Sequence, residues 1–261
     1  RGPRQTVSLD GCAMSNNAGD GIWVSSADAS SALNLSVSNS ACDSNTGSGL
    51  RSLKDSPSLV SVASLSRCTF NDNGASGVSW GASGDQNKVG VTCSDSSCSR
   101  NGKGGFAVSV AGSNSTVNVE LARCVSNNNV GVGNLIDENC DSYRSSVSCV
   151  DSTSANNTGD GMRTAIQGTN AQHTGTVERC SFTGNGGDGI ATASDCDDAK
   201  LLYDYKSTIS YGNTGSGFSV PVASPSSTVC DVTMSSCKSS MNGVDGWTGN
   251  CTAATGRIRV H

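Results

Sequence analysis

Residues 17–22 read Asn-Ala-Gly-Asp-Gly-Ile, and residues 185–190 read Asn-Gly-Gly-Asp-Gly-Ile. The last glycine of this phrase recurs every 28 residues from Gly21 to Gly217, and once more at Gly246, one residue late. Nine occurrences, eight of them at one spacing, identify an internal repeat, which predicts stacked structural units rather than a conventional globular domain. An asparagine stands four residues before every one of these glycines: Asn17, Asn45, Asn73, Asn101, Asn129, Asn157, Asn185, Asn213 and Asn242.

Apolar residues also recur at fixed distances from the glycine. Two mostly aliphatic columns lie fourteen and twelve residues before it, as in Val7 and Leu9 or Leu35 and Val37. A separation of two residues is the alternation of a strand with one buried face. Glycine and asparagine then predict a turn, because both adopt positive φ readily. A second short apolar segment follows each glycine, so we expect about three short strands per coil and no helix.

A period of this length with short strands and an asparagine column resembles the right-handed parallel β-helix, the pectate-lyase-like superfamily. The resemblance covers essentially the whole chain and implies an Asn ladder, in which each amide bonds its equivalent one coil above, about 4.8 Å away. It implies an all-β solenoid of about nine coils, about 43 Å long. We predict a single domain over residues 1–261, either a segment of a longer chain or a subunit whose end coils stack on neighbouring subunits.

The 13 cysteines follow a second period of 56 residues. Nine residues before the glycine, odd coils carry cysteine and even coils carry serine or threonine, so a pair of coils is the duplicated unit. This number of cysteines, without zinc-site spacing, indicates a disulfide framework with one cysteine left over. The alternative is a column of buried free thiols. The register allows bridges between Cys12 and Cys42, between Cys68 and Cys93 or Cys98, and between Cys149 and Cys124 or Cys180.

Composition excludes several classes of protein. Charged residues make up 15% of the chain, aromatic residues only 4%, and the formal net charge is −5. So few large side chains cannot fill a wide core, and this charge makes nucleic acid a poor partner. No stretch approaches the roughly 18 consecutive apolar residues of a membrane span. The cysteines and four glycosylation sequons indicate an extracellular or cell-surface protein. The candidate glycosylation sites are Asn34, Asn114, Asn156 and Asn250.

Candidate residues for chemistry are acidic. Asp197 and Asp198, with Arg257 and Arg259 further on, are weakly similar to the paired aspartates and basic element of polygalacturonases. The Asn-Thr-Asp and His-Gly elements of that family are absent. Acidic loops of the odd coils would offer hard oxygen ligands to Ca²⁺ if they project from one side. The alternative is a solvated loop face. The calcium candidates are Asp137, Glu138, Asp141, Asp195 and Asp197.

The regularity of the coils bears on function. Eight coils keep the period without an insertion, whereas function generally concentrates in variable loops. We therefore expect an extracellular structural or adhesive module, such as a unit of a filament, appendage or sheath, that associates with itself or with neighbouring subunits. Catalysis is not expected, nor any cofactor besides calcium. The alternative is a carbohydrate-active β-helix, a lyase, hydrolase or glycan binder, for which Trp23, Trp80 and Trp247 predict a sugar-stacking surface.

Overall fold

The computed structural model describes residues 2–26, 28–223, 228–251 and 257–260, with no account of the side chains of residues 26, 250, 251 and 257–260. The regular secondary structure in this part of the chain consists of strands alone. It therefore contains no helix that is long and apolar enough to cross a membrane. All strand pairs are parallel.

The strands form three sheets along the stack of coils. The ten-stranded sheet contains β1 (Arg4–Asp10), β3 (Ala32–Ser38), β5 (Val60–Ser66), β7 (Lys88–Ser94), β9 (Thr116–Ala122), β11 (Arg144–Val150), β14 (Gln172–Glu178), β17 (Lys200–Lys206), β20 (Val229–Ser235) and β23 (Arg257–Val260). The nine-stranded sheet contains β2 (Ile22–Ser26), β4 (Leu50–Asp55), β6 (Val78–Ser83), β8 (Phe106–Ala111), β10 (Asn134–Asn139), β13 (Met162–Thr169), β16 (Ile190–Asp197), β19 (Phe218–Ala223) and β22 (Trp247–Cys251). The four-stranded sheet contains β12 (Thr153–Ala155), β15 (Ser181–Thr183), β18 (Ile209–Tyr211) and β21 (Lys238–Ser240), and single bridges extend it back to Ala13.

Each strand pairs with its equivalent in the next coil. Val7 lies beside Leu35 and Leu35 beside Ala63, a shift of 28 residues at each step. Nine strands in the second sheet correspond to nine coils. The predicted all-β parallel β-helix with a 28-residue repeat is therefore confirmed.

Alternation along the strands creates the narrow core. In β5, side chains are exposed and buried in turn, and the inward residues Ala63 and Leu65 are about 1% exposed or less. The inward residues of all three sheets meet along the axis as one cluster that includes Trp80 and Phe106. The strands that the sequence predicts before and after each glycine are thus confirmed, together with their buried faces.

The Asn ladder is formed as expected. Asn101 donates from Nδ2 to Oδ1 of Asn129 at 3.0 Å, and its backbone N–H donates to the same oxygen at 2.9 Å. Equivalent amide bonds join every successive pair from Asn17 to Asn242. Asn101 and Asn129 are each only 1% exposed. A continuous row of buried amides satisfies its own polar groups and locks neighbouring coils in register.

The repeated glycines serve close packing rather than positive φ, which corrects the turn prediction. A Cβ at Gly105 would lie 2.5 Å from the carbonyl oxygen of Gly133 and 2.9 Å from Nδ2 of Asn129. The left-handed residue is instead the one before each ladder asparagine, such as Arg100 with a φ of 56°. Only glycine leaves room for the ladder amide, so steric exclusion of a Cβ atom explains why glycine occupies this column.

Eleven of the described cysteines, all except Cys230, are free thiols, and the side chain of Cys251 lies outside the described residues. Seven of these thiols contact carbonyl oxygens, as in Cys12 to Asp10 and Cys68 to Val37, both at 3.4 Å. The predicted bridges are thus not formed in this structure. The alternative, a column of small buried thiols, describes the observed state of these residues, and disulfide formation remains a prediction.

Candidate functional site

The structure places the two candidate catalytic aspartates but not the side chains of the arginines predicted with them, so a shared site stays a prediction. Asp197 ends β16 half-buried, and Asp198 is exposed with a φ of 52°, at the turn that leads into β17. The backbone of Arg257 lies beside Asp231 on the ten-stranded sheet. The side chains of Arg257 and Arg259 lie outside the described residues.

The five calcium candidates do not share one loop face. Glu138 is fully buried, because it is the third inward residue of β10 after Asn134 and Ile136. Asp137 points outward from the same strand. Among the described residues, no group of three or more His, Cys, Asp or Glu side chains is placed to hold a metal ion. The prediction is wrong for Glu138, because strand alternation continues through the segment that we expected to be a loop.

The tryptophan surface is also wrong. Trp23 is 64% exposed and lies beneath the guanidinium of Arg51, 5.5 Å from its ring centre. Trp80 is 1% exposed and belongs to the core. The two residues differ by one position in the repeat, which places them on opposite faces of the sheet.

Three of the four glycosylation candidates are exposed. Asn114 and Asn156 occupy turns with positive φ, whereas Asn34 lies on the outer face of β3. The side chain of Asn250 lies outside the described residues. Accessibility permits glycan attachment at Asn34, Asn114 and Asn156, and their modification remains a prediction.

A groove of about 360 Å³ lies on the outer face of the ten-stranded sheet, where β14, β17 and β20 run side by side. Strand alternation turns Gly175, Tyr203 and Val232 inward and their neighbours outward. A volume of this size falls in the range of small-ligand sites. The outward side chains that line the groove are Thr174, Thr176, Leu202, Asp204, Asp231 and Thr233.

Two carboxylates face this groove. Leu202 is the register partner of Asp231, so Asp204 and Asp231 are diagonal neighbours, which in a sheet lie about 7–8 Å apart. Oδ1 of each aspartate is buried without a hydrogen-bond partner. The other oxygen of Asp204 pairs with Nζ of Lys206 at 2.5 Å, which raises the pKa of that lysine. An acceptor that is buried without a donor is costly, so a rotation of either carboxylate that brings this oxygen to a donor on a ligand would be favourable.

Sequence reasoning missed Asp204 and Asp231 because they occupy different columns, thirteen and fifteen residues before the glycine. Both columns point outward from the same sheet. A search for outward acidic residues on adjacent coils, rather than for repeated acidic columns, would have found the pair.

A charged column along one edge of the solenoid was missed as well. Arg123 contacts Asp95 through two hydrogen bonds, of 2.6 and 2.8 Å, and this contact lowers the pKa of Asp95. The sequence signal was present, since arginine precedes three of the odd-coil cysteines, but the even coils were not compared at that position. Asparagine, arginine and aspartate occupy successive coils of the column: Asn39, Arg67, Asp95, Arg123, Asp151 and Arg179.

A second polar cluster lies inside the core. Ser145 Oγ donates to Oε1 of Glu138 at 2.6 Å and lies 2.8 Å from Nδ1 of His173. Glu138 Oε2 and His173 Nδ1 are 3.3 Å apart, and both side chains are fully buried. Serine, histidine and a carboxylate thus meet, but no solvent reaches them, so the cluster is a packing feature rather than a reaction site.

No family model and no curated protein matches the chain. Among solved structures, a double mutant of the periplasmic alginate epimerase AlgG is 11% identical with a TM-score of 0.49; the likeness covers 91% of this chain and 60% of that one. The A-module of the Azotobacter vinelandii mannuronan C-5 epimerase AlgE4 is also 11% identical, with a TM-score of 0.29 and coverage of 98% and 91%. The chain thus spans about 60% of the length of the AlgG structure. These similarities are too low to argue activity, whereas its own register, three parallel sheets and Asn ladder show that the chain is a parallel β-helix.

Proposed function

We propose that the protein is an exported carbohydrate-binding β-helix that holds a hydroxyl-rich polysaccharide against the outer face of the ten-stranded sheet. The main observation in support of this proposal is that Asp204 and Asp231, which line one groove, each have a carboxylate oxygen without a hydrogen-bond partner. Exposed sequons at Asn34, Asn114 and Asn156 support export. This proposal takes up the alternative function of the sequence analysis and sets the filament or adhesion role second.

The chemistry of the groove suits sugar hydroxyl groups. A carboxylate accepts hydrogen bonds in its plane, and Thr174, Thr176 and Thr233 add hydroxyls that donate or accept. Leu202 gives an apolar contact for the carbon face of a sugar ring. Two acidic groups and a net charge of −5 oppose polyanions, so neutral or amino-sugar polymers fit better than polyuronates.

Isothermal titration with a neutral β-glucan, chitosan and alginate tests the proposal. We expect measurable binding to the glucan or chitosan and weaker binding to alginate. Asp204→Asn and Asp231→Asn should each weaken binding about tenfold, because a hydrogen bond to a charged acceptor contributes about 1.5–3 kcal/mol.

Asp55→Asn is the matched control, since Asp55 is an exposed aspartate on the nine-stranded sheet that already accepts a hydrogen bond from Ser83 at 2.8 Å. It should bind like the parent protein. Equal binding by all three variants would remove the groove from consideration. An assay of reducing ends on the same polymers separates binding from cleavage, because paired carboxylates are also the groups that glycoside hydrolysis requires.

A structural or adhesive rod is the second candidate, and one observation favours it. The ladder joins all nine asparagines without interruption, so the coils are geometrically equivalent along the described stack. A uniform wall suits repeated contacts with neighbouring subunits better than a single pocket does. Filaments visible by negative-stain electron microscopy, together with no glycan binding, would favour this role over the first.

A further inference from the structure

Two pairs of core cysteines occupy equivalent places in the 56-residue double repeat. Cys180 Sγ lies 3.6 Å from Cys149 Sγ and 3.3 Å from the Cys149 carbonyl oxygen. Cys124 Sγ makes the same contact with the carbonyl oxygen of Cys93, at 3.2 Å. Each pair joins one coil to the next across the corner between two sheets, and each is separated by 31 residues.

The same thiol position recurs where no partner thiol exists. Cys68 Sγ contacts the carbonyl oxygen of Val37 at 3.4 Å, and Cys237 Sγ contacts that of Tyr205 at 3.3 Å. Those two coil pairs carry valine and tyrosine where the two central pairs carry cysteine. The placement of the thiol is therefore a property of the repeat, and among the described residues this position faces a second cysteine only in the two central coil pairs.

We propose that Cys93–Cys124 and Cys149–Cys180 are disulfide sites that bond successive coils when the chain folds in an oxidising environment. The sulfur separation of 3.6 Å is about 1.5 Å longer than a disulfide bond, so a small change in side-chain torsion angles would bring Cys149 and Cys180 to bonding distance. Cysteines that contact only carbonyl oxygens stay thiols. Cys140 and Cys196, for example, contact carbonyl oxygens of Val110 and Ile166.

Oxidised glutathione is the oxidant that we assign, acting while the coils assemble and the thiols are still accessible. The thiolate of either cysteine, for example Cys180, is the attacking group. It bonds to one sulfur of the glutathione disulfide and releases the other as a thiolate. The Cys149 thiolate, its proton lost to solvent, then attacks the Cys180 sulfur and expels the second glutathione. Two cysteines are oxidised, and one disulfide is reduced to two thiols.

The test is peptide mapping of the full chain refolded from the reduced state in glutathione buffer. After thiols are alkylated, trypsin should release peptide 145–163 bonded to 180–200, and peptide 89–100 bonded to 124–144. Fragmentation should place alkyl groups on Cys140 and Cys196 in those linked peptides. Reductant should lower the melting temperature by roughly 5–10 °C per bridge.

Variants make the proposal falsifiable even where one of them fails to fold. Cys149→Ser should leave Cys180 alkylated, while Cys140→Ser should keep both links. Val37→Cys should create a third bridge with Cys68, seen as peptide 5–51 bonded to 68–88. Recovery of peptides 145–163 and 180–200 unlinked and alkylated would overturn the assignment, as would bonding of either to another peptide. If the disulfide assignment fails, the proposal of glycan binding is unaffected, because none of these cysteines lines the groove.

Discussion

Replacement of one ladder asparagine tests whether the amide row holds the coils together. Asn101 is in the middle of the row and 1% exposed. Its Oδ1 accepts from the backbone N–H of Asn73 at 3.0 Å and from Nδ2 of Asn73 at 3.1 Å, and its own Nδ2 donates to Asn129. Asn101→Ala removes all three bonds.

The cost follows from the groups left behind. Two buried donors of Asn73 lose their acceptor, whereas Oδ1 of Asn129 keeps the backbone N–H of residue 101 as a donor, at 2.9 Å. An unsatisfied buried donor costs about 1–3 kcal/mol, so Asn101→Ala should destabilise the fold by about 2–5 kcal/mol.

Urea denaturation, followed by the fluorescence of the buried Trp80 and by circular dichroism, measures this loss. Two controls grade the effect. Asn17→Ala, at the exposed start of the row, removes one donor while Asn45 keeps a bond from the backbone N–H of residue 17, and should cost about 1 kcal/mol or less. Lys103→Ala changes an exposed side chain and should have almost no effect. Equal unfolding midpoints for Asn101→Ala and Lys103→Ala would refute the reasoning.

Three further changes test the buried and surface charges. Burial lowers the pKa of Lys54 from 10.5 to about 8, so the unfolded chain binds the extra proton between these values and stability should rise as pH increases from 8 to 10.5. Lys54→Met should abolish that rise in urea titrations. Glu138→Ala should lower the free energy of unfolding by about 3–5 kcal/mol, because it leaves the buried His173 without its carboxylate partner. The double variant Glu138→Leu with His173→Leu should lower it by less, because no polar partner is left unpaired. A larger loss in the double variant than in Glu138→Ala would contradict this. The lowered pKa of Asp95 means that its ion pair stabilises the fold above the ordinary aspartate pKa of 3.8 and is lost as pH falls below it. The unfolding midpoints of the parent and Asp95→Asn should therefore converge below pH 3.8, and a constant difference would exclude the pair as the source.

The fold could be predicted from the sequence because its determinants repeat. Asn101 and Gly105 stand in columns where only one residue type fits, since the amide needs its equivalent above and below and the glycine leaves space for it. A column matched in every coil gives nine independent signals for one structural requirement. Strand alternation before each glycine followed from the same register.

The candidate site could not be predicted in this way, because it repeats nowhere. Asp204 and Asp231 each occur once in their columns, and their proximity depends on the pairing of β17 with β20. The prediction for Glu138 was wrong because its charge indicated an exposed loop. Its position in the alternation of β10 instead places its side chain in the core. The two-residue alternation from Asn134 through Ile136 predicts an inward side chain at residue 138, and this pattern outweighs the charge of the glutamate.

In this fold, the side chains that determine stability and the side chains that would contact a ligand lie on opposite faces of the sheets. Stability depends on inward side chains and on the amide row, as at Asn101, so changes there alter every property of the protein at once. Asp204 and Asp231 lie on the outer face, outside the ladder and the apolar core. Their replacement by asparagine keeps the size of each side chain, and the ion pair with Lys206 that Asp204→Asn removes is partly exposed, so the fold should stay intact. A loss of glycan binding in these variants can therefore be assigned to the groove rather than to unfolding.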